Sequence, residues 1–91
     1  MEINERTGEV VINQKKYHLT KYEVLALKEL AKPGIRTYSD MYYAIYNTRV
    51  NNVELADRNC IKNIVSRLKA KTGIIVKTWF SYGYELGGTD E

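Results

Sequence analysis

The sequence predicts a small α+β domain with antiparallel strands at its N-terminus, three helices in the middle and a β-hairpin at its C-terminus. The N-terminal stretch alternates short apolar runs with turn residues, which is typical of strands. Three later stretches have apolar residues at helical spacing, and two of them begin with a threonine or serine suited to capping a helix. A glycine and a β-branched run follow the third stretch, as expected of a hairpin.

Residues 2–19 are predicted to form two or three antiparallel strands joined by tight turns. The turns are expected at residues 6–8 and 13–15, where Arg-Thr-Gly and Asn-Gln-Lys interrupt the apolar pattern. Because a lone hairpin is only marginally stable in water, we expect helices to cover one face of this sheet. Its apolar positions are Ile3, Val10, Ile12, Tyr17 and Leu19.

The first helix is predicted over residues 20–32. It begins with a capping box, in which the Thr20 hydroxyl accepts a hydrogen bond from the backbone N–H of Glu23, and the Glu23 carboxylate accepts one from the backbone N–H of Thr20. Pro33 and Gly34 end the helix, because neither residue favours its continuation. We expect this helix to be mostly core, and its apolar residues at helical spacing are Val24, Leu27, Leu30 and Ala31.

The second helix is predicted over residues 39–47, with Ser39 as its N-cap. This segment is rich in tyrosine. We expect Tyr42 and Tyr46 to pack together on the core side of the helix and Tyr43 to lie at the rim. The alternative is that these tyrosines form a stacking platform for the bases of single-stranded nucleic acid.

The third helix is predicted over residues 57–72, after a polar loop at residues 47–57. Either Asn52 or Asp57 is its N-cap, and the sequence does not decide between them. Gly73 ends the helix, since glycine readily adopts the left-handed conformation found at helix C-termini. The stripe expected to be buried has the spacing i, i+3, i+4 and i+7, and consists of Ile61, Ile64, Val65 and Leu68.

The opposite face of this helix has side chains suited to the major groove of DNA. Asparagine can pair with adenine, whereas arginine and lysine can contact guanine or the flanking phosphates. Six basic residues and no acidic one lie between Asp57 and Glu85. The competing interpretation is a face that only meets water. The short central residues are Asn59, Asn63, Ser66 and Ala70, and the basic residues are Arg58, Lys62, Arg67, Lys69, Lys71 and Lys77.

A hairpin is predicted over residues 74–86, directly after this helix. Residues 74–79 form a mostly β-branched strand, residues 80–83 a turn, and residues 84–86 the returning strand. A polar, basic helix followed by a hairpin is the layout of a recognition helix and its wing.

Four motifs occur in an order and spacing that match a known family. They are Leu19-Thr20-x-x-Glu23, Tyr38-Ser39-Asp40 with Ile45-Tyr46, Ser66-Arg67-Leu68-Lys69-Ala70-Lys71, and Lys77-Thr78 with Gly83-Tyr84-Glu85-Leu86. Together they make the chain resemble the OmpR/PhoB-type winged-helix DNA-binding domain, which is the output domain of many bacterial response regulators.

The resemblance implies a winged helix-turn-helix fold in a single domain over residues 1–91. It implies that the third helix enters the major groove of double-stranded DNA, that the wing contacts the adjacent minor groove, and that the 47–57 loop meets RNA polymerase. We expect binding as a dimer or in tandem on direct repeats. The resemblance assigns base contacts to Lys62, Asn63, Ser66 and Arg67, and backbone contacts to Asn59, Lys69 and Thr78.

Three positions depart from the family pattern. Phe80 lies where the wing usually has arginine, Ser81 where it usually has glycine, and Lys62 where an acidic residue is common. Aromatic residues, among them Trp79 and Tyr82, therefore occupy the wing in place of a guanidinium. Such a wing is suited either to wedging against sugars or a base step, or to binding another protein.

The predicted function is a sequence-specific double-stranded DNA-binding transcriptional regulator. The alternative is an adaptor of the same fold that binds RNA polymerase or another regulatory protein through its aromatic wing. We expect a stand-alone protein without a receiver domain, from a bacterium or a mobile element, and the alternative is a fragment of a longer regulator. The predicted DNA-binding residues are Arg58, Asn59, Lys62, Asn63, Ser66, Arg67, Lys69, Lys71, Lys77, Thr78, Phe80 and Tyr82.

The composition argues against several other classes of protein. A single cysteine excludes an internal disulfide and a cysteine-rich zinc site, and without a long apolar run or a leader we expect a cytoplasmic protein. His18 is the only histidine, and Cys60 has no base near it in sequence, so we expect no enzyme, no cofactor and no metal. Gly87-Gly88 is interpreted as a loose tail and not a phosphate loop.

Overall fold

The structure is a computed structural model that describes residues 1–87. These residues form three helices and two small antiparallel sheets, which confirms the predicted α+β class. Of the predicted loose tail, Gly87 is bonded to the hairpin, since its N–H donates to the Ile75 carbonyl at 2.7 Å, so the prediction is wrong for that residue, and Gly88 lies outside the described residues. The helices are α1 (Lys21–Leu30), α2 (Tyr38–Tyr46) and α3 (Leu55–Thr72). The strands are β1 (Glu2–Asn4), β2 (Glu9–Ile12), β3 (Lys15–His18), β4 (Arg36–Thr37), β5 (Val76–Trp79) and β6 (Gly83–Leu86).

The N-terminal sheet consists of β1, β2 and β3 in that order, each antiparallel to its neighbour. A two-residue turn joins β2 to β3, since Ile12 pairs with Lys15. Asn13 and Gln14 both have positive φ angles, 51° and 68°, as a tight hairpin turn with right-handed strand twist requires. Val10 is fully buried, so the sheet is attached to the core through one face, as predicted.

The three helices enclose a hydrophobic core to which both sheets contribute. α1 packs against both α2 and α3. Val10 from β2 and Tyr84 from β6 join the same cluster of buried side chains. The position of α3 relative to the C-terminal hairpin is therefore set by the core. The largest side chains that are fully buried are Leu27, Leu30, Met41, Ile61, Leu68, Glu23 and Val10.

The C-terminal hairpin, β5 and β6, is extended to three strands by β4, in the order β4-β6-β5. β4 has only two residues and pairs antiparallel with the start of β6, with Thr37 opposite Gly83. The Tyr38 N–H also donates to the Tyr82 carbonyl at 3.1 Å. These bonds tie the hairpin to the first residues of α2.

The capping box of α1 is confirmed, but the predicted cap of α2 is wrong. Ser39 lies inside α2, and the N-cap is Thr37, whose hydroxyl accepts from the Asp40 N–H at 3.1 Å. The Asp40 carboxylate accepts in return from the Thr37 N–H at 3.0 Å, which completes a second capping box. Thr37 and not Ser39 is the cap, because only Thr37 has an acidic residue three positions later whose carboxylate can accept a bond from the N–H of the cap residue.

We expect Thr37→Ala to lower the free energy of unfolding by about 1 kcal/mol, because it removes a capping hydroxyl and leaves the Asp40 N–H without that acceptor. Ser39→Ala is the matched control and should change the free energy of unfolding by less than about 0.5 kcal/mol. Urea unfolding monitored by circular dichroism measures both values. Equal losses in the two variants would contradict the assignment of Thr37 as the cap.

The start of α3 also differs from the prediction. The helix begins at Leu55 after Glu54, whose side chain makes no capping bond, so neither Asn52 nor Asp57 is the cap. The chain is instead fixed by Val53, which is 3% exposed and whose carbonyl accepts from Arg58 Nε at 2.9 Å. The loop before α3 therefore spans residues 47–54, shorter than the predicted 47–57. The predicted ends of α3 and of the hairpin, at residues 72 and 86, are confirmed, and the remaining helix and hairpin ends differ from the prediction by one or two residues.

Candidate nucleic-acid interface

The two faces of α3 are divided as the sequence predicts. The predicted apolar stripe is at most 3% exposed along its whole length. All residues predicted at the centre of the polar face are exposed. The exposed side chains fall into two groups, of which one lies beside the hairpin and the other beside α1 and α2.

A cleft of about 400 Å³ lies between α3 and the hairpin. Its helical wall is a single stripe, because the residues that form it are spaced alternately four and three positions apart. The hairpin wall includes Thr78, Phe80 and Ser81, and the aromatic rings of Tyr38 and Tyr84 also line the cleft. The stripe consists of Leu55, Asn59, Lys62, Ser66 and Lys69, and Arg58 and Val65 line the cleft beside it.

Two lysines give this cleft its charge. Within residues 1–87, no carboxylate lies within 4.0 Å of Lys62 or Lys69. Asn59 and Ser66 on the same stripe provide a side-chain amide and a hydroxyl, both of which donate and accept hydrogen bonds. The cleft thus combines unpaired positive charge with uncharged hydrogen-bonding groups.

Arg58 also borders the cleft, but its side chain has a structural role. Its Nε donates to the Val53 carbonyl at 2.9 Å, and its guanidinium carbon lies 5.0 Å from the centroid of the Tyr38 ring. The guanidinium therefore holds the α2–α3 loop against α3 and covers the ring of Tyr38.

The two tyrosines that line the cleft form an edge-to-face pair, with the ring centroids of Tyr38 and Tyr84 5.5 Å apart. Burial, together with a side-chain hydrogen bond to Tyr38, raises the pKa of the Tyr84 hydroxyl far above its ordinary value. Tyr84 therefore stays neutral and adds no negative charge that would repel an anion from the cleft.

The other predicted cations of α3 face α1 and are paired. Lys71 Nζ donates to Glu23 Oε1 at 2.8 Å, and Arg67 Nε lies 3.5 Å from Glu23 Oε2. Asn63 and Arg67 line a separate pocket of about 250 Å³ with Tyr22, Tyr46 and Cys60. The structure therefore does not bring Asn63, Arg67 and Lys71 into the cleft with Lys62 and Lys69.

Glu23 is the acceptor that holds these two cations, and its side chain is fully buried. Burial acts to raise the pKa of the Glu23 carboxyl, but the hydrogen bonds from Lys71 and the Thr20 backbone and the charge of Lys71 outweigh it. The net result is a pKa below its ordinary value, so the carboxylate is ionised at neutral pH.

The hairpin tip is aromatic and exposed, with Phe80 94%, Tyr82 55% and Trp79 39% exposed. Trp79 is held in place, since its Nε1 donates to Glu85 Oε1 at 3.1 Å and Lys77 Nζ lies 4.9 Å from its ring centroid. Of the predicted hairpin contacts, Thr78 and Phe80 line the cleft, whereas Lys77 and Tyr82 do not.

The sequence analysis missed Leu55 and Ser81 as cleft residues. Leu55 is 73% exposed, and its place on the stripe could have been found from its spacing of four residues to Asn59. It was assigned to the loop because the helix was predicted to begin at Asp57. Ser81 has a positive φ of 58° at the hairpin turn, and nothing in the sequence marks it as a lining residue.

The tyrosines of α2 pack as predicted. The ring centroids of Tyr42 and Tyr46 are 4.8 Å apart, and both rings pack against the core. Tyr43 is 41% exposed at the rim, with the Arg49 guanidinium 4.2 Å from its ring centroid. The rings of Tyr42 and Tyr46 are thus engaged with each other and with the core.

Outside these surfaces, the described part of the chain has few groups suited to chemistry. His18 lies at the end of β3, where its Nε2 is 2.7 Å from the Thr7 carbonyl, and Cys60 is exposed. Residues 1–87 contain no group of three or more His, Cys, Asp or Glu side chains placed to hold a metal ion. None of the described helices combines the length and the apolar character needed to cross a membrane.

Comparison of the chain with protein-family models, with curated proteins and with solved structures gives no match. Functional inference therefore starts from the cleft between α3 and the hairpin, whose lining residues and charges are given above.

Proposed function

We propose that this chain is a winged-helix protein of the OmpR/PhoB type that binds double-stranded DNA sequence-specifically and regulates transcription. In this proposal α3 enters the major groove, and the β5–β6 hairpin is the wing that meets the adjacent minor groove. The supporting observation is the cleft between these two elements, where Lys62 and Lys69 have no ion-pair partner within residues 1–87. Unpaired cations on both sides of short hydrogen-bonding residues match the phosphates and base edges of a groove.

The spacing of the cleft residues suggests how the duplex would lie. An α-helix fits the major groove, which is about 12 Å wide, with the Asn59, Lys62 and Ser66 side chains toward the base edges. One sugar–phosphate strand then passes through the cleft between α3 and the hairpin, within reach of Lys69 and Thr78. Because Arg67 and Lys71 are paired with Glu23, we assign them to the edge of the interface and not to its centre.

We expect the double variant Lys62→Ala/Lys69→Ala to bind duplex DNA about tenfold more weakly than the wild type at low salt. Loss of the Lys69 phosphate contact should also reduce the slope of log affinity against log salt by about 0.9. Fluorescence anisotropy with a random-sequence duplex pool at several salt concentrations measures both quantities. Sequencing of the bound fraction identifies an enriched motif, if the protein reads sequence.

The control is Lys15→Ala/Lys16→Ala, which removes the same charge from β3, outside the cleft. This variant should keep most of the affinity and the salt slope, since Lys15 and Lys16 do not line the cleft although their loss lowers the net charge by the same amount. Equal losses in both variants would show that only net charge drives binding. Absence of duplex binding by the wild type even at low salt would overturn the proposed function.

A single domain of this size contacts few phosphates, so we propose that it binds as a dimer or in tandem on direct repeats. The loop at residues 47–54 is the surface that we propose for contact with RNA polymerase. The arrangement of the selected sites tests binding as a dimer or in tandem, because two domains on direct repeats require two copies of the motif in the same orientation.

The second candidate function is an adaptor that binds RNA polymerase or another regulatory protein through its wing. The exposure of Phe80 and Tyr82 favours it, because exposed aromatic residues are enriched at protein interfaces. The two functions differ in the residues on which they depend. An adaptor would keep its partner in the Lys62→Ala/Lys69→Ala variant and lose it in Phe80→Ala, whereas a DNA-reading protein would lose duplex affinity in the lysine variant.

A further inference from the structure

Phe80 has an aromatic ring that the fold does not use. It is 94% exposed, the highest value among the large apolar side chains found exposed in residues 1–87. A ring that is almost entirely in water adds little to the stability of the core. It borders the cleft that also contains Lys62 and Lys69.

The turn that presents this ring is structurally constrained. The Tyr82 N–H donates to the Trp79 carbonyl at 2.9 Å, which closes a β-turn around Phe80 and Ser81. Next to the turn, Trp79 is fixed by its bond to Glu85, and Gly83 is paired with strands on both of its sides. Phe80 therefore projects from a hydrogen-bonded turn on a three-stranded sheet, a geometry suited to insertion into a partner.

We infer that Phe80 is a wedge that inserts its ring between two base pairs from the minor groove and bends the DNA. This inference rests on the proposed function, since it requires α3 in the adjacent major groove. Apolar side chains such as phenylalanine and leucine unstack base steps and kink the duplex in this way in minor-groove-binding proteins. Here the unpaired lysines of the same cleft neutralise the strand beside the ring, which favours duplex DNA over an uncharged partner.

The wedge has a consequence for the sequence that is recognised. A phenyl ring has no hydrogen-bonding group, so it selects a site by the ease with which the step unstacks and not by base identity. Pyrimidine–purine steps such as TA and CA are the most easily kinked. The preferred site should therefore combine a major-groove motif read by α3 with a pyrimidine–purine step at a fixed distance from it, where the wing lies.

Parallel selections from a random-sequence duplex pool test this inference, with the wild type, Phe80→Ala and Phe80→Leu. Wild type and Phe80→Leu should enrich a pyrimidine–purine step at one fixed offset from the major-groove motif. Phe80→Ala should enrich the motif without the step, and should bind the duplex selected by the wild type about tenfold more weakly. The same duplex, labelled with a donor and an acceptor dye at its two ends, reports bending by energy transfer. Wild type and Phe80→Leu should bend it, and Phe80→Ala should bend it much less.

The outcomes separate the inference from the function on which it rests. Unchanged step enrichment, affinity and bending in Phe80→Ala would overturn the wedge while leaving duplex binding intact. Enrichment of a major-groove motif by the wild type without a pyrimidine–purine step at a fixed distance would also overturn the wedge and leave duplex binding intact. If the wild type binds no duplex, the proposed function fails first and the wedge fails with it, and the ring is then better explained as a contact for another protein.

Discussion

Replacing Gly83 with alanine is expected to destabilise the protein by about 3 kcal/mol, because the added methyl group has no space. A Cβ at this position would lie 2.1 Å from the Arg36 carbonyl oxygen and 2.8 Å from Thr37 Cα. Both atoms belong to the backbone of β4, so no side-chain rotation can relieve the clash. The sheet would have to separate at the pairing of β4 with β6, which ties the hairpin to the start of α2.

Gly34→Ala is the control that separates this clash from the conformational preference of glycine. Gly34 has a φ of +87° but no atom within 4 Å of its Cβ position, so only backbone strain of about 1 kcal/mol is expected. Urea unfolding of both variants measures the difference. If the free energy of unfolding falls no more in Gly83→Ala than in Gly34→Ala, the β4–β6 contact accommodates the methyl group at little cost and does not fix the hairpin.

The features that could be predicted from the sequence are those determined by residues close together in the chain. The Thr20 and Glu23 pair closes the capping box of α1 within one turn, and Gly73 ends α3 with a φ of 75°. The hairpin turn and the buried stripe of α3 likewise depend on spacing within one element. Local hydrogen bonds and periodicity are sufficient for such features.

The pairing of β4 with β6 could not be predicted in this way. β4 has two residues, too few to show a strand period, and its partner Gly83 lies far along the chain, in β6. The close approach of Gly83 to Arg36 becomes visible only when both backbones are placed. The Thr37 cap is different, because Thr37 with Asp40 three positions later is a local capping-box pattern that the sequence analysis overlooked in favour of Ser39.

The sequence predicted which residues lie on the exposed face of α3, but not how that face is oriented relative to the hairpin. Helical periodicity identified the exposed face of α3, yet it could not show which edge of that face lies beside the hairpin. The structure places Lys62 and Lys69 there, whereas Arg67 and Lys71 lie beside α1. Lys71 and Glu23 are 48 positions apart, so no local pattern links them. An ion pair that is set by tertiary packing thus decides which cations stay unpaired.

Replacing Glu23 with alanine is expected to lower the free energy of unfolding by about 3 kcal/mol. The fully buried carboxylate accepts from the Thr20 N–H at 3.0 Å and from Lys71 Nζ at 2.8 Å, so its removal opens the capping box and leaves a cavity. Lys71 and Arg67 are 41% and 58% exposed and regain water when the partner is lost, which keeps the cost near the lower end of the range for buried pairs.

Glu23→Gln is the informative comparison, because it keeps the side-chain volume and an acceptor for the Thr20 N–H but removes the charge. Since the folded-state pKa of Glu23 lies below its unfolded value, the charge contributes stability in full above the unfolded pKa of about 4.3. That contribution is lost as the pH falls through the folded-state pKa. The stability difference between wild type and Glu23→Gln, measured by urea unfolding, should therefore be largest near pH 7 and shrink below about pH 4. A difference that is the same at both pH values would show that volume and hydrogen bonding, and not the ionised carboxylate, explain the contribution of Glu23.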